Sequence, residues 1–194
     1  MPTSQRSAGR RVRPEGVVLP GSGSDELFVR ATFGATLGAL GVTLCCPRPA
    51  PGAEVVPGYL AALDAASDRA DRRGGALLIG GISLGAQVAV RWAARRAAEG
   101  RPGPAGLLLA LPAWTGRPDG APASVAASHS ADALGRDGLA ATLAEVRANT
   151  PAWLGDELAR AWTRHGPLLA DSLRATARSE GPTEAELAGL AVPV

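Results

Sequence analysis

The chain contains no lysine; all 20 of its basic residues are arginine. That excludes lysine-dependent chemistry, from Schiff bases to the phosphate-gripping lysine of a Walker loop. Histidine is almost as scarce, with only His129 and His165, and the two cysteines, Cys45 and Cys46, are adjacent. So little ligand material gives a metal site nothing to build on, and none is expected. Cys45 and Cys46 close an apolar stretch and read as small buried residues, with a strained vicinal disulfide as the oxidised alternative. No apolar run approaches the length of a membrane span, and Met1 to Pro14 lacks the apolar middle of a secretory signal. We read residues 1–16 as a disordered, arginine-rich leader and expect a cytoplasmic protein with no membrane partner. The net charge of +2, with acids interspersed among the arginines, argues against a nucleic-acid partner as well.

What is present is apolar and regularly punctuated. With 194 residues and 46% hydrophobic side chains, the chain suits one domain with a full core. Val17-Val18-Leu19 reads as a short strand, followed by Pro20-Gly21-Ser22-Gly23-Ser24 and a helix from Asp25 to Leu40, capped by Ser24 and ended by Gly41. Val42 to Cys46 is a second strand, and a proline-rich link leads to a helix from Gly58 to about Arg72. Ala76 to Ile79 and Gly106 to Leu111 are further buried strands, with a helix from Ala86 to Ala98 between them. Strands alternating with helices predict a parallel, doubly wound α/β sheet. Beyond Arg117 the strands stop. Helices are expected over Ala121–Leu134, Asp137–Asn149, Pro151–Thr163, Pro167–Ser179 and Thr183–Leu190, the last opening with a Thr183-x-x-Glu186 capping box.

Between the third strand and its helix there is almost no loop, only Gly81-Ile82-Ser83-Leu84-Gly85, a G-x-S-x-G. So sharp a turn strains the serine backbone and brings the residues two before and two after it into contact, which calls for glycine at both. The serine Oγ then projects beyond the sheet, and the Leu84 N–H at the helix start is placed to hold an oxyanion. The bland reading is a tight turn with a capping serine.

On these residues the chain resembles the α/β-hydrolase superfamily, and more narrowly the small capped hydrolases of high-GC bacteria, from about Val17 to Val194. The resemblance implies a hydrolase core over 17–116, a helical lid over 117–190 and the start of a further core strand at 191–194. It implies Ser83 as nucleophile toward an ester, thioester or similar acyl bond, with no cofactor. The N–H groups of Leu84 and Ser22 would form the oxyanion hole, Ser22 by its place after Gly21, where the family has His-Gly-x and this chain has Pro20-Gly21-Ser22. An apolar, small-molecule acyl substrate would meet a pocket lined by Trp114, Trp153 and Trp162, although packing of lid on core explains those residues equally well.

The family's acid and histidine lie on strands beyond the point where this sequence stops. His129 and His165 are the remaining candidates for a base, and Asp119, in Pro118-Asp119-Gly120, is a substitute acid or a turn residue. If the chain ends at Val194, the last strand offers an uncovered edge, from which a homodimer is expected. Two other readings stay open: a truncated or non-catalytic protein that keeps the elbow as architecture, and a Rossmann-type nucleotide domain. The latter has Gly21-Ser22-Gly23 in its favour, and Glu26 in place of the third glycine against it.

Overall fold

A computed structural model describes residues 12–193. The expected leader therefore lies mostly outside the described residues. Its last two positions, Glu15 and Gly16, instead open the first strand.

Four strands form one parallel sheet: β1 (Glu15–Leu19), β2 (Thr43–Cys45), β3 (Leu77–Ile82) and β4 (Gly106–Ala110), in the spatial order β2-β1-β3-β4. The register sets Leu19 beside Gly81 and Gly81 beside Leu109, so the carboxyl ends of β1, β3 and β4 finish level. Helices α1 (Glu26–Ala39), α2 (Val55–Arg73) and α3 (Leu84–Ala98) connect them. Successive strand residues point to opposite faces. Val17, Leu19, Leu77, Ile79 and Leu107 pack against α2 and α3, while Val18, Leu78 and Leu108 share a core with Val29 and Leu37 of α1. The sheet is covered from both sides, and the doubly wound α/β architecture is the one expected.

Helix starts differ from the sequence reading in two places. Asp25, not Ser24, caps α1, because its carboxylate accepts from the N–H groups of Leu27 and Phe28. A carboxylate suits that end of the helix dipole better than a hydroxyl. Helix α2 begins at Val55 rather than Gly58. Pro57 is thus inside the first turn, where a missing N–H costs nothing.

Trp92, on α3, anchors the larger core. It is 1% exposed, its Nε1 donates to Asp64 Oδ1 at 2.7 Å, and the Arg96 guanidinium lies 4.8 Å over its ring. Trp92→Phe keeps most of the packing and loses the donor, and is expected to cost about 1–2 kcal/mol in urea denaturation.

The helices after β4 are α4 (Pro122–Asn149), α5 (Ala152–His165), α6 (Leu169–Ala177) and α7 (Glu184–Ala188). The two helices expected over 121–149 abut at Gly138, where φ 79° and ψ 171° break the helical path. Leu143 of α4, Ala159 and Trp162 of α5, and Leu169 and Leu173 of α6 make a second core. Ser172 Oγ accepts from Gly52 N at 2.8 Å, tying α6 to the turn before α2. The capping box forms as expected: Thr183 Oγ1 accepts from Glu186 N, and Glu186 Oε2 from Thr183 N. Beside β4, Leu107 N donates to Pro193 O at 2.8 Å. Among the described residues no helix is long and apolar enough to cross a membrane.

Candidate active site

Ser83 stands between β3 and α3 with φ 52° and ψ −112°, a left-handed conformation that a side-chain-bearing residue adopts only at a cost. Two features hold it there. Its N–H donates to Ala110 O of β4 at 2.9 Å, extending the sheet's pairing through the turn. The glycines around it let the backbones touch: a Cβ on Gly81 would come within 2.7 Å of Ala86 N, and one on Gly85 within 2.7 Å of the Leu19 carbonyl carbon. The spacing Gly-x-Ser-x-Gly is therefore dictated by strand β1 on one side and the first turn of α3 on the other.

The segment leaving β1 lies directly against this elbow. A Cβ on Gly21 would stand 3.2 Å from Ile82 O and 3.5 Å from Ser83 Cβ. Residues 21–24 form a turn closed by Ser24 N donating to Gly21 O at 3.1 Å, with Gly23 at φ 68°. That positive φ at the third turn position is what glycine supplies. Among the described residues, the N–H groups of Ser22 and Leu84 find no acceptor within the chain. The Leu84 N–H also belongs to the open end of α3, where the helix dipole favours negative charge.

The candidate bases do not join this arrangement. His165 Nε2 lies 2.9 Å from Ser24 O and lines a cleft of about 370 Å³ with Asp25, Glu26, Arg48 and Arg164. His129 faces a separate groove of about 660 Å³ beside Arg117 and Asp119. Asp119 is exposed and paired with Arg117, which makes it the turn residue rather than a buried acid. Among the described residues no imidazole is bonded to Ser83 Oγ.

The three tryptophans are not brought together either. Trp153 is 64% exposed at the start of α5, because the apolar stripe of that helix turns inward one turn later. Trp162 is 4% exposed, and its indole packs on Gly23. Trp114, half-buried after β4, donates from Nε1 to Ser179 O at 3.2 Å. Gln87 is fully buried one turn after the elbow; with its amide oxygen assigned toward the two donors around it, it accepts from Trp114 Nε1 at 2.9 Å and Gly181 N at 3.2 Å. A lone glutamine in an alanine-rich helix carries no sequence signal for this.

An ionic cluster beside the site was also missed. The Asp25 carboxylate, 4% exposed, receives two hydrogen bonds of 2.7 Å from Arg160 and stands 3.1 Å from Arg164 Nε. Arg160 also pairs with Glu157, and Arg164 with Glu26. Burial works against the charge on Asp25, but Arg160 and the N–H groups of Phe28 and Leu27 outweigh it and hold its pKa below 3.8. A carboxyl whose native pKa is depressed adds stability above its ordinary pKa, and the contribution is lost as pH falls through the lowered native value. Asp25→Asn is therefore expected to be less stable than the native chain at pH 7, and the difference is expected to shrink below about pH 4. Urea midpoints measured across pH 2–7 on both proteins check this.

Among the described residues no group of three or more His, Cys, Asp or Glu side chains is placed to hold a metal ion. Both cysteines carry free thiols, and burial raises the pKa of Cys46.

No protein-family model matches the sequence, and no curated protein does. Solved structures do. The RedJ thioesterase from the prodiginine biosynthetic pathway of Streptomyces coelicolor is 19% identical, with a TM-score of 0.52 over 91% of this chain and 67% of that one. ClbQ from the colibactin NRPS/PKS pathway is 19% identical, with a TM-score of 0.51 over 87% and 69%. An α/β hydrolase from the metagenome of Lake Arreo is 21% identical, with a TM-score of 0.44, and there the chain spans only 42% of the other's length. With its strand order, its strained serine after β3 and its glycine turn after β1, the chain has an α/β-hydrolase-like fold.

Proposed function

We propose that this chain carries the nucleophile site of a serine hydrolase that cleaves acyl bonds, with a thioester as its substrate class. The observation that carries the reading is Ser83 itself. A non-glycine residue is held at φ 52° between a strand and a helix, beside the Leu84 N–H and the turn that carries the Ser22 N–H, neither of which finds an acceptor among the described residues. Strain of this kind persists only where the surrounding structure enforces it. In the reaction, Ser83 Oγ attacks the carbonyl carbon as its proton passes to a base, and the Leu84 and Ser22 N–H groups hold the oxyanion. The C–S bond then breaks, the thiolate leaves, and water cleaves the acyl-serine ester.

Two considerations favour a thioester over an oxygen ester or amide. RedJ, similar in fold, is described as a thioesterase. A thiolate also leaves without being protonated first, so it asks less of a general acid, and no imidazole is bonded to Ser83 among the described residues. Helices α4 to α6 would serve as a lid over the acyl chain. The test is release of free thiol from a medium-chain acyl thioester, with and without added imidazole as an external base. Thiol release that requires Ser83 supports the reading.

The missing imidazole contact also favours a second reading, in which the elbow persists as architecture and the protein binds without catalysis. The nucleotide alternative fares worse. The Gly21–Ser24 turn is packed under Trp162 and His165, and the Asp25 carboxylate already takes the N–H groups at the start of α1 where a pyrophosphate would sit.

A further inference from the structure

We infer that helix α5 is the latch of the oxyanion turn, and that Arg160 is a positioning residue which acts on the Ser83 site through Asp25. This rests on the proposed role of Ser83 as nucleophile.

The turn that carries Ser22 is held at both ends. On one side Gly21 sits on Ile82 O and the Ser83 side chain, so the turn cannot shift without leaving the elbow. On the other side, the C-terminal half of α5 covers each of the next residues. The Trp162 indole packs on Gly23, leaving no room for a Cβ there, since one would fall 2.6 Å from Nε1. His165 Nε2 meets Ser24 O. Arg160 and Arg164, one helical turn apart, grip Asp25.

Asp25 is the joint between the two. Its carboxylate caps α1 through the Leu27 and Phe28 N–H groups and accepts the planar fork of Arg160 in two parallel bonds. A carboxylate used on every side has one orientation, and a bidentate arginine is the side chain whose geometry fixes it. Asp25 follows the turn at once, so the angle at which α1 begins sets the direction of the Ser22 N–H. An oxyanion donor contributes only when aimed at the developing charge. Arg160 touches no reacting atom. Its effect passes through Asp25.

The experiment uses the full chain, with Arg160→Gln, Arg160→Lys, Asp25→Asn and the double variant Asp25→Asn/Arg160→Gln. The first readout is amide exchange by NMR. Ser24 N–H, which closes the turn onto Gly21 O, is expected to exchange about tenfold faster in Arg160→Gln, while the amides of Ile79 and Leu107 stay unchanged. The second is phosphonylation of Ser83 by a fluorophosphonate, resolved into binding and reaction. Arg160→Gln is expected to slow the reaction step by roughly 10- to 100-fold with binding unchanged, a fraction of what loss of one donor costs. Arg160→Lys, which keeps the charge without the fork, is expected to fall between. The double variant is expected to match Asp25→Asn alone, since residues acting as a unit are not additive.

Unchanged exchange at Ser24 in Arg160→Gln overturns the inference. So does faster exchange throughout β3 and β4, which reduces Arg160 to a structural residue, and so do additive effects in the double variant. If the native chain takes no phosphonyl group at all, the proposed function fails, and the exchange readout alone decides the latch.

Discussion

Ser83→Ala is expected to abolish thiol release from acyl thioesters, a loss of roughly 10³-fold or more, with the fold unchanged. The side chain is half-buried at the tip of the turn and bonded to nothing among the described residues, so its removal leaves no orphaned partner. What is lost is the hydroxyl proposed to attack beside the Ser22 and Leu84 N–H groups, which find no acceptor among the described residues. Ser83→Cys is the informative companion. A thiol ionises more readily than a hydroxyl and depends less on a neighbouring base. Ser83→Cys is therefore expected to acylate at least as fast as the native chain and to release the acyl group slowly, leaving a covalent intermediate visible by intact mass. Thiol release by Ser83→Ala at the native rate counts against the site.

Gly85→Val is expected to carry the largest structural effect. Its first side-chain atom would fall 2.8 Å from the Leu19 side chain and closer still to the Leu19 backbone, where no rotamer change makes room. The strand or the helix must move, and either movement breaks the elbow. Overpacking of this kind costs about 3 kcal/mol or more. For a chain of this size that corresponds to a fall in melting temperature of about 10 °C. Gly34→Val is the control, since its nearest neighbour beyond its own helix backbone is the flexible Arg30 side chain at 3.8 Å. Differential scanning calorimetry on the three proteins separates a local steric clash from a general intolerance of β-branching.

The parts of this fold legible in sequence were those with short-range causes. The strand–turn–helix at Ser83 announced itself because both glycines are demanded by contacts within a few residues or with the adjacent strand. The capping box at Thr183 and Glu186 was legible for the same reason, since both partners lie within four residues. Two helices were expected over 121–149, but with their junction at 135–136; the break falls at Gly138, inside the second of them. Contacts spanning more than 100 residues left no such trace. Nothing in the sequence singles out Arg160 and Arg164, and only the packing of α5 on the β1–α1 turn reveals Asp25 as their partner. The same holds for the tryptophans. Their spacing placed Trp153 and Trp162 on one stripe, yet α5 buries the second and leaves the first in water. Periodicity defines a helix face without saying how far along the helix the neighbour extends.

The placement of the two histidines follows the same rule. Chain order excluded neither His129 nor His165 as a base, and geometry gave His165 to the Ser24 carbonyl and His129 to a groove whose lining does not include Ser83. The demand on the substrate is then greater. An acyl group with a good leaving thiolate fits the proposed site, in which Ser83 Oγ is not bonded to an imidazole among the described residues.

Intact mass after incubation with a fluorophosphonate, for the native chain and Ser83→Ala with and without added imidazole, tests the central claim most directly. One phosphonyl adduct is expected on the native chain, formed faster as imidazole is raised, and none on Ser83→Ala. An adduct retained by Ser83→Ala, or a folded native chain that takes no label even with imidazole present, would contradict it.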